Sequence, residues 1–382
     1  MIDKIVLNGI TWNHSRGFVS VVATAQRFSE MNPHIEINWK KRSLQEFADA
    51  PIADLAETYD LLVIDHPWAG FAAASGILTP LQEHIPSHFL EDQAMNSVGK
   101  SHQSYIFDGN QCALAIDAAT PVASYRADLL VKYGLNVPQT WNDLLELARQ
   151  GYVIMPGIPI DTLMNWYMIC SSLGEDPFEE TEWKVSDEIA LEALERLREL
   201  TNLCPSEIFD RNPIATYNIL SSQDDYVYCP FAYGYSNYSR RGYAPHLLTF
   251  DDLVTIADNG RCRSTLGGTG LAISSKSRVI DVAVEYAMFT ASPMVQQTLF
   301  MQSGGQPGHR SAWIDENTNR LTNDYFKNTL PALDRAYLRP RFPKYLHFQD
   351  HGGDIIRDYN MNGSDPRGVL SKLKDLFAES LH

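Results

Sequence analysis

The first third of the chain alternates between short apolar runs and segments whose apolar residues recur at helical spacing. Residues 5–10 and 60–64 predict strands, the second being a continuous apolar run typical of parallel strands buried on both faces. Residues 35–39 alternate apolar and polar positions and predict a third strand. Helical periodicity between these strands is carried by Phe18, Val21, Val22, Ala25 and Phe28, and then by Leu44, Phe47 and Leu55. The resulting order is βαβαβ, which predicts an open α/β sheet.

The middle and the end of the chain are mostly helical. An apolar stripe at helical spacing is formed by Ala190, Ala193, Leu194, Leu197 and Leu200. Ser186 is placed to cap the helix that carries this stripe. Strands are predicted at 112–116 and at 271–273, the latter directly after the glycine-rich run 267–270, which we interpret as a crossing between lobes. Further helices are predicted from about residue 281 onward.

Composition narrows the class of protein. A chain of 382 residues suggests two or three domains. Its 31 Lys and Arg residues against 47 Asp and Glu give a formal net charge of -16, which disfavours nucleic acid and anionic lipid as partners. Five cysteines at scattered spacings, without a CxxC pair, argue against a zinc ribbon or a disulfide framework. The first 17 residues lack the pattern of a signal peptide, which leaves a cytoplasmic location open.

Three blocks of sequence occur together in a recognisable order. The first comprises residues 59–65, Trp68 and the Gly-x-Leu-x-Pro-Leu turn at 76–81. The second comprises 125–129, 134–135, Pro138 and 140–141, and the third 267–274, 287–293 and 305–307. In combination and order these blocks resemble the extracellular solute-binding proteins of family 1, the carbohydrate-type binding components of ABC importers.

This resemblance implies an α/β, two-lobed periplasmic-binding-protein-like fold (type II-like), with a ligand cleft between lobes joined by a hinge. The implied α/β lobe comprises residues 1–117 and 267–315, and the mostly helical lobe comprises 118–266 and 316–382. The implied function is capture of a small polar ligand, carbohydrate or a derivative, by hinge closure. The resemblance also implies ABC importer membrane subunits as partners, a periplasmic location, and a monomer without a cofactor.

Ligands of open α/β sheets bind beyond the carboxyl ends of the strands, and four loops are predicted there. The candidate binding residues in these loops are Trp12, Asn13, His14, Arg16, Arg42, Asp65, His66, Trp68, Gln306 and Arg310. Trp12 and Trp68 could lay their rings against a sugar, with packed surface aromatics as the alternative. Asp117 and Gly268 are candidates at the predicted crossings, where Asp117 could instead hold a hinge turn. On the helical lobe the candidates are Trp166, Tyr233 and Tyr235, and a core position is the alternative for Trp166.

Positive charge at these loops keeps a second ligand class open. Arg16, Lys41, Arg42 and Arg310, with His14 and His66, would suit an anionic ligand such as a sugar acid, an organic acid or a phosphorylated compound. The alternative is that Arg16 and Arg42 pair with Asp65 or Glu46 and only shape the loops. Carbohydrate remains the preferred ligand class because of the resemblance to the carbohydrate-type binding proteins.

Two other classes of function are less favoured by the sequence. An enzyme on the same fold would need an activated thiolate, and Cys112, in the strand that leads to Asp117, is the candidate nucleophile. A purely structural or protein-interaction role is a third possibility. The run 267–270 lacks the spacing of a nucleotide-binding loop, and His347 and His351 lack the Glu of an HExxH motif, so neither predicts a cofactor or metal.

Overall fold

The computed structural model of the chain describes residues 4–43, 46, 52–257 and 260–382. Within these residues the strands are β1 Ile5–Trp12, β2 Ile35–Arg42, β3 Leu61–Ile64, β4 Ile106–Phe107, β5 Asn110–Gln111, β6 Leu114–Ala119, β7 Pro121–Tyr125, β8 Phe178–Glu179, β9 Glu182–Trp183, β10 Tyr228–Tyr233, β11 Thr249–Asp251 and β12 Gly267–Ile273.

The α-helices of the same residues are α1 Ser15–Met31, α2 Ile52–Thr58, α3 Ala69–Ser75, α4 Ser87–Met95, α5 Ser101–Ser104, α6 Ala127–Tyr133, α7 Trp141–Arg149, α8 Pro159–Ser172, α9 Asp187–Asn202, α10 Pro213–Ser222, α11 Ile280–Ala291, α12 Pro293–Val295, α13 Arg310–Trp313, α14 Glu316–Leu321, α15 Tyr325–Asp334, α16 Tyr345–Asn362 and α17 Pro366–Glu379. Short 3₁₀ turns lie at His66–Trp68, Leu81–Glu83, Ser206–Asp210 and Ser236–Ser239, and a π-helical turn at Gln296–Phe300. None of the helices in the described ranges is long and apolar enough to cross a membrane.

The chain forms two compact units. Unit 1 comprises residues 1–119, 267–320 and 341–343, and unit 2 comprises 120–266, 321–340 and 344–382. The fold class is α/β, as predicted, with the larger sheet in unit 1 and most of the helical residues in unit 2.

The sheet of unit 1 has the strand order β2-β1-β3-β12-β6. Strand β1 runs parallel to β2 and to β3, which confirms the βαβαβ interpretation. Strand β3 is buried on both faces: Leu61 and Val63 belong to one apolar cluster, and Leu62 and Ile64 to the other. Strand β12 runs antiparallel to both of its neighbours, β3 and β6. It comes from residues 267–273, whereas the other four strands of this sheet come from the first 119 residues.

The glycine-rich run begins β12, and the chain passes from unit 2 to unit 1 directly before it, between residues 266 and 267, which agrees with its interpretation as a crossing. Gly268 has φ +106, and a Cβ atom there would lie 2.4 Å from the carbonyl oxygen of Asp117. Glycine is therefore required because the backbones of β12 and β6 approach closely within unit 1. The strand predicted at 112–116 is displaced and lies at Leu114–Ala119. Of the predicted second helix, Leu44 and Phe47 lie outside the described residues, and Leu55 lies in α2.

Unit 2 combines a three-stranded antiparallel sheet, in the order β10-β7-β11, with a bundle of helices. The predicted amphipathic helix is α9, whose five stripe residues are all buried. Ser186 caps it as expected, because its side chain accepts a hydrogen bond from the backbone N–H of Ile189. Helix α16 packs along α8, and the tyrosine hydroxyls of Tyr167 and Tyr345 lie 3.0 Å apart.

Asp161, in the first turn of α8, is an ionisable group buried in unit 2. The side chain is 5% exposed, and its Oδ2 atom has no hydrogen-bond partner among the described residues. Burial raises the pKa of this carboxyl group from its usual 3.8 to about 8, so the folded protein carries a neutral acid here at neutral pH. The thiol of Cys229 on β10 lies close enough for an ionised Asp161 to raise the pKa of that thiol further.

The first prediction concerns the pH dependence that Asp161 imposes on stability. Because the folded pKa lies above the unfolded value, the folded state retains a proton that the unfolded chain loses. The free energy of unfolding should therefore fall as pH rises from about 4 to 8. Asp161→Asn should raise the free energy of unfolding at pH 7.5 by more than about 1 kcal/mol, and by little near pH 4. Urea denaturation at both pH values measures this. Equal effects of the substitution at the two pH values would show that Asp161 ionises normally.

Candidate functional site

The carboxyl ends of four strands of unit 1 lie at one edge of its sheet. These are the ends of β1, β2, β3 and β6. The antiparallel β12 begins at the same edge, because Gly267 pairs with Ala119 and Gly270 pairs with Ile64. We call this set the carboxyl edge of unit 1. Most of the residues predicted to bind a ligand lie on it or in the turns that follow it.

Arg16 and Asp117 form a buried ion pair at the carboxyl edge. The guanidinium Nε atom donates to Asp117 Oδ2 over 2.9 Å, and Nη2 donates to Oδ1, which makes the contact bidentate. The two residues are 4% and 1% exposed. Arg16 lies in the first turn of α1, and Asp117 lies in β6, so the pair ties the start of that helix to a strand 101 residues later.

His14 caps α1 and does not add positive charge. Its Nδ1 atom accepts a hydrogen bond from the backbone N–H of Arg16 over 3.0 Å. Burial, and then the charge of Arg16, lower the pKa of this imidazole from 6.5 to about 3, so it is neutral at physiological pH. Asn13, the preceding residue, is exposed, and its backbone N–H donates to the carbonyl of Arg42 at the end of β2.

The two tryptophans of the predicted site differ in exposure. Trp12 is 3% exposed and belongs to the apolar core of unit 1, with the backbone of Gly17 packed so closely on its ring that a Cβ atom would lie 2.4 Å away. Trp68 is only partly buried and meets the ring of Phe71 edge to face, at 5.7 Å between centroids. Trp68 is therefore the better placed of the two to offer a ring to a ligand.

Asp65 and His66 form the turn that follows β3. Asp65 Oδ1 accepts from the backbone N–H of His66 over 2.8 Å and lies 3.1 Å from His66 Nδ1. The buried His66 ring meets Tyr105 edge to face at 6.4 Å. The Tyr105 hydroxyl in turn reaches the carbonyl oxygens of Ile64 and Gly268, at 3.3 and 3.4 Å.

Gln306 extends the sheet beside β6. Its backbone carbonyl accepts from Ala118 N–H over 2.9 Å, and its side-chain Nε2 donates to the Ala118 carbonyl over 3.1 Å. Gln306 is fully buried. This segment therefore holds the last residues of β6 in position.

Arg42 and Arg310 donate to backbone carbonyls, Arg42 within its own loop and Arg310 to a segment distant in the sequence. Arg42 Nη1 donates to the backbone carbonyl of Glu46 over 2.9 Å, and burial lowers the pKa of this guanidinium to about 10. Arg310 Nε donates to the carbonyl of Ser97 over 3.1 Å. The pairing with Asp65 considered for Arg16 is replaced by the pairing with Asp117. These contacts favour the alternative in which the arginines shape the loops over the one in which they bind an anionic ligand.

The three candidates of unit 2 lie in different surroundings. Trp166 is 0% exposed, and its Nε1 donates to the Ala190 carbonyl over 3.1 Å, so it is part of the core and we leave it out of the proposed site. Tyr233, at the end of β10, is partly buried, with its hydroxyl 3.2 Å from Thr265 Oγ1. Tyr235 is 4% exposed and packs against the ring of Tyr217.

Sequence reasoning missed Tyr105 and Thr269 at the carboxyl edge. Thr269 lies in β12, and its hydroxyl is buried without a hydrogen-bond partner among the described residues. The signal was available, because Thr269 continues the period-two alternation of Leu271 and Ile273 into the glycine-rich run. Nothing in the segment around Tyr105 distinguished it from an ordinary core tyrosine.

The geometry gives the alternative functions little support. Cys112 is 3% exposed, and burial raises the pKa of its thiol to about 11, which is the opposite of what a nucleophile needs. The rings of His347 and His351 lie 4.7 Å apart on α16. These two histidines do not belong to a larger cluster, because no group of three or more metal-binding side chains occurs among the residues that the structure describes.

Comparison with known proteins agrees with the resemblance seen in the sequence. The model of the bacterial extracellular solute-binding protein family matches residues 11–166. A protein of Deinococcus radiodurans named a probable ABC transporter-binding protein is 23% identical over 352 residues, covering 85% of this chain and 80% of that protein.

Solved structures extend the likeness to the whole chain. Maltose-bound MalE3 of T. maritima superposes with a TM-score of 0.84 at 18% identity, covering 98% of this chain and 99% of that one. A solute-binding protein of Thermotoga lettingae bound to α-D-tagatose gives 0.85 at 17% identity, covering 99% and 100%. The chain thus has the fold of these solute-binding proteins, and the resemblance predicted from its sequence is confirmed.

The second prediction tests the buried ion pair. Asp117→Ala should lower the free energy of unfolding by about 3–5 kcal/mol, because it leaves the Arg16 charge buried without its partner. The matched control is Glu199→Ala, which breaks a pair with Arg149 that is half exposed on both sides and should cost less than about 1 kcal/mol. Urea denaturation measures both. Equal costs for the two variants would contradict the assignment.

The third prediction concerns the five thiols. All are free, four are fully buried, and burial raises the pKa of each thiol. The folded protein at pH 7.5 should therefore react slowly with a disulfide reagent, and the urea-unfolded chain should react at all five positions. Rapid labelling of Cys112 in the folded protein would restore the enzyme hypothesis.

Proposed function

We propose that the protein is the solute-binding component of an ABC importer, with a neutral carbohydrate or polyol as its ligand. It acts outside the cytoplasm as a monomer and delivers the ligand to the membrane subunits of the importer. The family match and the fold support the class of protein, and both solved relatives described above were bound to neutral sugars.

The Arg16–Asp117 pair is the observation that carries the choice of a neutral ligand. An anion-binding site needs a guanidinium whose donors are available to a carboxylate or phosphate. Here the buried guanidinium engages a carboxylate of the protein itself, and the adjacent His14 is held neutral. The pair therefore offers polarised but charge-balanced hydrogen-bonding groups, which suits hydroxyl groups of a neutral ligand.

Trp68 supplies the second element of a carbohydrate site. A sugar ring has an apolar face of C–H groups, which packs well on an aromatic ring. Trp68 lies just after β3, three residues after the partly exposed Asp65, so a stacked sugar would have a carboxylate close to its rim. Asn13 and Gln306 remain further candidates for hydrogen bonds on unit 1. For unit 2, Tyr233 and Tyr235 stay separate predictions.

A thermal-shift panel tests the ligand class directly. Neutral sugars and polyols, namely maltose, D-tagatose and D-mannitol, are compared with galacturonate, citrate and glucose 6-phosphate. At least one neutral compound is expected to raise the melting temperature, because binding only the folded state stabilises it. Stabilisation by the charged compounds alone would contradict the neutral ligand.

The fourth prediction concerns Trp68. Trp68→Ala should weaken binding of the stabilising sugar by about 1–3 kcal/mol, on the scale of burying one large apolar side chain, with little effect on folding. Trp68→Phe keeps an aromatic ring and serves as the matched control, with a much smaller loss. Calorimetry of both variants measures this. Unchanged affinity in Trp68→Ala would remove the residue from the site.

A further inference from the structure

The hydroxyl group of Thr269 is buried at the carboxyl edge, where no described residue bonds to it. The residue is 5% exposed, and Oγ1 makes no hydrogen bond within the part of the chain that the structure describes. Two other buried threonines of unit 1 are satisfied: Thr11 donates to the Gly17 carbonyl over 3.1 Å, and Thr24 to the Val21 carbonyl over 3.0 Å. The buried Thr290 hydroxyl, on α11, likewise has no hydrogen-bond partner among the described residues, but it lies away from the carboxyl edge. A buried hydroxyl that has lost its water and gained no partner costs free energy.

Strand register places Thr269 beside the ion pair. Thr269 pairs with Asp117 across β12 and β6, directly beside a shift in register between Thr269 and Gly270. Directly opposed residues of an antiparallel pair lie on the same face of the sheet. Two and four positions further along β12, Leu271 and Ile273 face the same apolar cluster as Trp12. Thr269 is therefore at the polar end of that face, where Arg16 and Asp117 meet.

We propose that Thr269 is a ligand-binding residue whose hydroxyl exchanges a hydrogen bond with a hydroxyl group of the sugar or polyol. A hydroxyl both donates and accepts, so it matches another hydroxyl in either orientation, whereas carboxylate and guanidinium groups each do only one. The unsatisfied hydroxyl is then explained as a group reserved for the ligand. This inference rests on the proposed function and adds one specificity-determining residue to its site.

The ligand-free protein provides the first test. Thr269→Val keeps the shape of the side chain and removes only the hydroxyl, so it should leave the melting temperature unchanged or raise it by a few degrees. The matched control is Thr24→Val, whose hydroxyl bonds to Val21 and lies 2.9 Å from the Tyr286 hydroxyl; this variant should melt several degrees lower. A fall in Thr269→Val as large as in the control would show that the hydroxyl is bonded within the protein, and would overturn the inference.

The second test measures binding of maltose, D-tagatose and D-mannitol by calorimetry. Thr269→Val should bind the compound that stabilises the wild type about five- to tenfold more weakly, whereas Thr269→Ser, which keeps the hydroxyl, should stay within about twofold. Equal affinity of Thr269→Val and the wild type would overturn the role of Thr269 and leave the proposed function intact. If none of the three binds the wild type, the neutral ligand fails first and the role of Thr269 fails with it.

Discussion

The buried contact between Arg16 and Asp117 is the constraint on which the carboxyl edge of unit 1 depends. Taking either charge out of water alone is too costly for a folded protein, so each residue is tolerated only because the other is in bidentate contact with it. The contact fixes the first turn of α1 against β6. The cap made by His14 and the packing of Gly17 on Trp12 follow from the same placement. A local loop and a distant strand are thereby made into one rigid surface.

Within the described part of the chain, unit 2 buries a carboxyl group without a counter-charge, in contrast to Asp117 of unit 1. Asp161 has no cation beside it among the described residues, and it remains in the core as a neutral acid. Asp117 is matched by the guanidinium of Arg16. The two aspartates are buried to a similar degree and differ in whether a counter-charge lies beside them.

Periodicity in the sequence predicted the parallel strands and the helix α9, because these elements depend on local alternation of apolar residues. The Arg16–Asp117 contact could not be predicted, since 101 residues separate its partners and nothing local links them. Trp12 and Trp166 were candidates for ligand binding, because the sequence around a tryptophan does not show whether its ring is packed in the core or exposed. The glycine-rich run was predicted as a crossing, and the chain does pass from unit 2 to unit 1 directly before it. The close approach of β6 that demands glycine could not be predicted, since it is not local either.

The position of β12 sets an order of events for a chain that is made from its N-terminus. Strand β6 reaches the sheet of unit 1 only through β12, which comes about 150 residues later in the sequence. Until residue 273 has been synthesised, β3 has an open edge, and β6 has no strand of this sheet to pair with. The nascent chain must therefore keep an apolar sheet edge from pairing with other chains while most of unit 2 is still being made. Completion of unit 1 is a late step of biosynthesis, although most of its strands come first.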